Sequence, residues 1–292
     1  MKIQPRHIGF VCRGESRDIS VLKALIECIR EREGGEGFEV VLDPDSAYKL
    51  GMQMQGQRIS DMDVDLLVCV GGDGTILRTL HYLKRPTPVL GVNTGTIGFL
   101  ARVQPENAVS TLRNLILEGF DVEMRQRLSI RVMDEEMPYA MNEAVVITSK
   151  PGKMLHFVIF VDGEELERLR ADGVVFSTPT GSTAYAMSAG GPIVDPRVNA
   201  TIIVPIAPFK LTARPTIVDI ESEISLELLG TKDAELVIDG QFYRKMEKEE
   251  KISITKGEHA LFVEIPDRYF SRLLNKLRSG EEETKRYKYI EV

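Results

Sequence analysis

Two hydrophobic rhythms run along this chain, and one gives way to the other near Asp121. Before that point, short unbroken apolar runs alternate with stretches of helical spacing. His7–Cys12, Phe38–Leu42, Leu66–Val70 and Pro88–Val92 are the runs. Apolar runs without alternation mark strands buried on both faces, as in a parallel sheet. Ser16–Arg32 places Ile19, Leu22, Leu25, Ile26 and Ile29 on one side of a helix, and Gly34, Gly35 and Gly37 end it. Pro44–Gly51 reads as a short helix and Met52–Asp63 as loop or weak helix. A further helix runs from the Asp73 region to about Leu83, and Pro105–Glu118 opens with a proline suited to a first turn. Strand, helix, strand, helix predicts an α/β domain over residues 1–121, with a parallel Rossmann-like sheet and right-handed crossovers.

From Val122 to Ile265 the pattern is mainly that of strands. Leu128–Met133 alternates. Ala144–Thr148, Phe157–Val161, Gly173–Phe176, Thr201–Ile206, Ile224–Leu229, Leu236–Ile238, Ile252–Thr255 and Leu261–Val263 are apolar or β-branched. Asp162-Gly163, Asp239-Gly240 and Lys256-Gly257 supply turns between them. Residues 122–265 are therefore expected to form an all-β domain, sandwich-like or barrel-like. Asp267–Arg278 then reads as one amphipathic helix carrying Tyr269, Phe270, Leu273, Leu274 and Leu277, and residues 266–292 are expected to pack back on the first domain. The charged Glu281–Val292 segment reads as a loose tail or an edge strand.

Composition narrows the class. The chain has 292 residues, 43% apolar and 28% charged, enough for one large or two ordinary domains with a real core. A formal net charge of −7 argues against a general nucleic-acid binder, while leaving room for a local basic pocket. Cys12, Cys28 and Cys69 form no CxxC pair, and His7, His81, His156 and His259 have no metal spacing. All seven read as structural. Neither a signal-peptide core nor a bilayer-length apolar stretch is present, so a soluble cytoplasmic protein without a membrane partner is expected.

The candidate chemistry gathers around Gly71-Gly72-Asp73-Gly74-Thr75, directly after the Leu66–Val70 run. A turn after a buried parallel strand sits at the carboxyl edge of the sheet, where open α/β folds bind ligands. Its glycines leave the backbone bare, so amide N–H groups and the next helix start can face an anion. A carboxylate beside a phosphate is unfavourable unless it takes a proton or holds a metal. Asp73 therefore points to phosphoryl transfer, as base or metal organiser, with an ordinary tight turn as the alternative. Gly91–Leu100 forms a second glycine-rich turn at the same edge. Asn142-Glu143 offers an amide and a carboxylate, but neighbours on a strand face opposite ways, so both reach one ligand only at a strand end or bulge. Ser177–Thr183 is rich in small hydroxyls beside Pro179 and Gly181, and a helix around Thr183–Ala189 could face an anion; a capped helix without a ligand is the simpler reading. Arg170 with Asp172 reads equally as a surface ion pair, Lys153 as a solvated loop lysine, and Asp239-Gly240-Gln241 as a plain hairpin turn. There is no P-loop, no G-x-G-x-x-G after the first strand and no kinase His-Arg-Asp loop. Ser188, in Ala-Met-Ser-Ala-Gly, is one glycine short of a hydrolase elbow.

Taken in order, Gly71–Arg78, Asn142-Glu143 and Asp172–Pro196, with its Thr-Pro-Thr-Gly-Ser-Thr-Ala-Tyr core, resemble the NAD kinases. The likeness covers about Val68 through Gln241. It implies transfer of a terminal phosphoryl group from ATP or inorganic polyphosphate to the 2′-hydroxyl of the adenosine ribose of NAD, with a divalent ion, Mg²⁺, carried mainly by the donor phosphates. It implies Asp73 as the base, with Gly72 and Gly74 admitting phosphates and Arg78 counted with the nucleotide-binding residues. Asn142 and Glu143 would bind the dinucleotide, with Arg170, Asp172, Thr183, Ala184, Tyr185, Ser188 and Gln241 along its length. Phe99 would face one of its rings, and Lys153 stands where members often carry a basic residue. A homodimer or homotetramer is implied too. Thr96 departs from the histidine that many members carry. Lipid kinases of the diacylglycerol or sphingosine type share the glycine–aspartate turn and are the alternative; a non-catalytic dinucleotide sensor is the third reading.

Overall fold

The computed structural model describes residues 2–30, 37–95, 98–230, 233–247, 249–266, 269–275 and 277. Thr96, Gly34, Gly35 and the Glu281–Val292 tail lie outside the described residues. The chain divides into two compact units, one formed by 1–79, 87–123 and 262–292, the other by 80–86 and 124–261.

In the first unit, β1 (His7–Cys12), α1 (Ser16–Arg30), β2 (Glu39–Leu42), α2 (Pro44–Lys49), β3 (Leu66–Gly71), α3 (Asp73–Tyr82), β4 (Val89–Asn93) and α4 (Pro105–Glu118) follow one another, except that the last three residues of α3, His81 among them, belong to the second unit. Strands β1 to β4 pair in parallel in the order β2-β1-β3-β4. Central β3 and β4 are buried along their whole length, which is why they read as unbroken apolar runs. One face of the sheet, carrying Phe10, Val68, Val70 and Val92, packs with Leu22, Leu25 and Ile29 of α1 and Leu112 and Ile116 of α4. On the other face, Cys69 Sγ lies 3.6 Å from Thr79 Oγ1 of α3. Met52–Asp63 holds two short 3₁₀ turns, Gln53–Gln55 and Ile59–Asp61. Two strands from the expected β-rich stretch close this sheet instead: Ala260–Val263 pairs in parallel with β4, and β5 (Val122–Arg125) lies beyond it. Residues 269–275 are helical; Leu273 is buried, Tyr269 half-buried, and Phe270, Leu274 and Leu277 exposed.

The second unit is a sandwich of two antiparallel sheets. One has the order β10-β9-β14-β17-β6-β7 and the other β13-β12-β11-β8-β15-β16. These are β6 (Leu128–Val132), β7 (Glu135–Glu136), β8 (Glu143–Thr148), β9 (Leu155–Val161), β10 (Glu164–Ala171), β11 (Gly173–Ser177), β12 (Ala200–Ile206), β13 (Thr216–Asp219), β14 (Ile224–Leu228), β15 (Ala234–Ile238), β16 (Phe242–Met246) and β17 (Lys251–Lys256). Alternate residues of both sheets, among them Ile130, Phe157, Leu226 and Ile254 facing Val146, Phe176, Ile203 and Leu236, form one core. The outer face of the second sheet is covered too. Val145, Val175, Ile202 and Val204 pack against Ala186 and Val194 of the segment after β11. Burial on both sides explains the continuous apolar runs of β8, β11 and β12. Among the described residues, no helix is long and apolar enough to cross a membrane.

Candidate active site

Strand order places the switch point of the first sheet at β1 and β3, where the chain leaves β1 in one direction and β3 in the other. The glycine turn follows β3 there, and α3 starts at Asp73 itself. Apart from the adjoining residues and the backbone of α3 itself, nothing among the described residues lies within 4 Å of where a Cβ on Gly72 or Gly74 would stand, so the backbone there is bare. Asp73 is half-buried. Its carboxylate turns to the second glycine-rich turn: Phe99 N–H donates to Oδ2 at 2.7 Å, and Leu100 and Ala101 N–H donate to Oδ1 at 3.0 and 2.9 Å. Gly98 makes room for this, since a Cβ there would sit 2.5 Å from Asp73 Oδ1. Three of the four lone-pair positions of the carboxylate are thereby used, and one on Oδ2 stays open. Both glycine-rich turns are thus fastened together by the one acid. Arg17 Nη1 donates to Thr94 O at 3.2 Å, a cation at this edge that the sequence pattern does not single out. Phe99 lies beside Tyr269, ring centroids 6.2 Å apart, and Arg78 is exposed on α3.

The second unit assembles its candidate residues around the start of β8. Asn142 stands just before the strand and Glu143 is its first residue, so the strand-end condition is met. Asp239 curls this backbone. It accepts from the N–H of Met141 on Oδ2 at 2.8 Å, and from those of Asn142 and Glu143 on Oδ1 at 2.7 and 3.0 Å. The plain hairpin of the sequence reading is real: Asp239 and Gly240 both have positive φ, 51° and 62°, and Gln241 N–H closes the turn onto Ile238 O. What the turn chemistry does not disclose is the aspartate's partners, about a hundred residues away. From the other side, Thr178 N–H donates to Asn142 O at 2.9 Å and Thr178 Oγ1 to Met141 O at 2.7 Å. Gly181 comes so close that any Cβ would run into the carbonyl oxygen of Asn142. After this the chain makes a 3₁₀ turn, Thr180–Thr183, and a single helical turn, Tyr185–Ser188.

Glu143 is buried, accepts from the N–H of Tyr185, and its Oε2 has no hydrogen-bond partner. Burial, and then the charge of Asp239, push its carboxyl up to about 8. At neutral pH it is therefore mostly an acid, able to donate as well as accept.

Asn142, Glu143, Thr183, Ala184, Tyr185 and the Asp239–Gln241 turn thus gather at one end of β8 and β11. Arg170, Asp172 and Lys153 do not. The register pairs Ser177 with Glu143 at one end and Gly173 with Ile147 at the other, four residues or about 13 Å along. Asp172 lies just beyond Gly173, where its carbonyl accepts from Thr148 N–H at 2.8 Å. Lys153 O, in the adjacent loop, accepts from Thr148 Oγ1. Arg170 is exposed with its guanidinium 5.6 Å from the Phe209 ring centroid. Ser188 and Gln241 are exposed. Among the described residues, no three His, Cys, Asp or Glu side chains gather as metal ligands.

A bare Gly-Gly-Asp-Gly turn at the edge of a parallel sheet, in a chain that continues into an antiparallel sandwich, defines the class of kinases built on a glycine–aspartate turn. The model of the ATP-NAD kinase N-terminal domain matches residues 16–120, and that of the ATP-NAD kinase C-terminal domain matches 141–264. The chain belongs to the NAD kinase family. A NAD kinase of Methanoculleus marisnigri is 43% identical over 263 residues, covering 90% of this chain and 96% of its own. One of Methanothermobacter thermautotrophicus is 45% identical over 277 residues, covering 94% and 96%. Two solved structures share the fold. A NAD kinase from Archaeoglobus fulgidus in complex with ATP has a TM-score of 0.77 at 33% identity, covering 94% of this chain and 99% of its own. Yeast NADH kinase complexed with NADH has a TM-score of 0.85 at 26% identity, covering 94% and 88%.

Proposed function

We propose that this enzyme phosphorylates the 2′-hydroxyl of the adenosine ribose of NAD, using ATP or inorganic polyphosphate and a divalent ion, Mg²⁺. The observation that carries the reading is the state of Asp73. Three amides fix its carboxylate at a turn stripped of side chains, and one lone-pair position on Oδ2 is left to accept a proton. The ribose oxygen forms its bond to the terminal phosphorus as the bond from phosphorus to the bridging oxygen of the donor breaks. Asp73 takes the hydroxyl proton, and the bridging oxygen leaves with the shortened donor. Such a transfer rests on in-line positioning and charge neutralisation, and needs no nucleophilic side chain. Asn142 and Glu143 bind the acceptor, and the neutral carboxyl of Glu143 suits hydroxyls and base edges alike. A divalent ion fits this arrangement because Mg²⁺ keeps several waters and binds largely through phosphates. When bound, it neutralises phosphate charge.

The test is a matrix of donors (ATP, polyphosphate) against acceptors (NAD, NADH) with Mg²⁺, read as NADP and NADPH. Formation of NADP with either donor is expected. Binding of NAD without product from any pair would leave a sensor instead. Assembly into a dimer or tetramer belongs to the same reading. Its support is exposed apolar surface, Ile217 on the edge strand β13 and Phe209 and Leu211 in the segment that precedes it, and a monomer by light scattering would remove it.

A further inference from the structure

We infer that Asp239 and His81 form a positioning pair that sets the acceptor turn, with Asp239 shaping the Met141–Glu143 backbone and His81 holding Asp239. This deepens the reading above and rests on it. Asp239 has a fully buried side chain, and all four of its lone-pair positions are taken, three by the successive amides of Met141, Asn142 and Glu143. The fourth faces His81 Nε2 at 2.9 Å, and that side chain is 8% exposed. A carboxylate only accepts, so Nε2 carries the proton that is shared.

Geometry makes this more than a hairpin cap. Successive amides of an extended strand point in opposite directions, so three converging on one carboxylate require a curled backbone. In that curl Asn142 and Glu143 escape strand alternation, the condition for both side chains to serve one ligand. An internal anion thus fills the nest that the turn creates. It also fixes the division of labour between the two neighbouring acids. Asp239 absorbs the amides and the imidazole, while Glu143 keeps an unpartnered Oε2 and a pKa of about 8. An Asn at 239 has only one acceptor atom, so its amide nitrogen would oppose either the Met141 N–H or the Asn142 and Glu143 pair. Gln at 81 can present an N–H near the place of Nε2, whereas Leu cannot.

The experiment measures KM for NAD, KM for ATP, kcat and melting temperature in the full-length enzyme and in Asp239→Asn, His81→Leu and His81→Gln. Loss of charge-assisted hydrogen bonds at the turn is expected to raise KM for NAD by about 10–100-fold in Asp239→Asn and by roughly 10-fold in His81→Leu. KM for ATP should stay within about twofold, and His81→Gln should restore most of the NAD affinity, a recovery that general loosening of the fold would not give. Should Asp239→Asn fail to fold, the two His81 variants decide. Unmoved KM for NAD in folded His81→Leu, equal losses for both substrates, or a Gln variant no better than Leu overturns the pair while leaving NAD phosphorylation standing. A wild-type enzyme that makes no NADP overturns the function, and this inference with it.

Discussion

Three amides hold the carboxylate of Asp73 at the turn proposed to receive phosphates. Hydrogen bonds to a charged acceptor stabilise by about 1.5–3 kcal/mol each, so together they fix the direction in which this carboxylate points. They also limit the usual control. Asp73→Asn replaces one acceptor oxygen with an NH₂ that must oppose an N–H of Phe99, or those of Leu100 and Ala101. The substitution therefore removes the base and loosens the second glycine-rich turn together. Turnover should fall by about 10²–10⁴. NAD affinity, measured directly by calorimetry, should change little, because the residues assigned to the acceptor turn take their shape from Asp239 and Thr178. Wild-type turnover in this variant would remove Asp73 from proton transfer.

At the scale of elements, legibility follows burial. The alternating or unbroken apolar pattern yields every interior strand of the sandwich, β9, β14, β17 and β6 in one sheet and β12, β11, β8 and β15 in the other. It yields none of the four edges, β10, β7, β13 and β16. An edge strand has one neighbour, and these bury little: β10 reads Glu-Glu-Leu-Glu-Arg-Leu-Arg-Ala and is mostly exposed, and β13 and β16 are half-exposed along most of their length. Their strand character comes from backbone pairing, which leaves no hydrophobic signature. The parallel sheet was readable because β1, β3 and β4 are covered on both faces. The place of Ala260–Val263 in it was not, because this strand joins β4 from about 170 residues away in sequence, and local pattern cannot tell which sheet a strand will enter. The site divides in the same way. Gly71–Thr75 announces itself as a contiguous run with a mechanism, while Asp239 looks like half of a hairpin turn until its partners at 141–143 are in view.

For the whole molecule, the consequence that can be measured is a dependence of stability on pH. Glu143 is buried, and its carboxyl is raised from 4.5 to about 8 in the folded state by burial and by Asp239. An unfolded chain returns it to its ordinary value, so between about 4.5 and 8 the native state holds a proton that the unfolded state has lost. Stability falls as pH rises wherever the native state binds more protons. The contribution of Glu143 is therefore fully present below pH 4.5, declines across the window by up to about 1.4 kcal/mol per pH unit, and levels off above 8. Asp43, also buried and raised, acts in the same direction, so the total slope is not the signature of Glu143 alone. The difference between wild type and Glu143→Gln is. Gln has nearly the shape of the protonated acid and no charge to desolvate. Urea unfolding of the two proteins without nucleotide should give similar midpoints near pH 5, with the variant gaining steadily on wild type up to pH 8. A gap that stays constant across that range would mean that Glu143 is already ionised at pH 5, and the acceptor turn would then carry two anions rather than one.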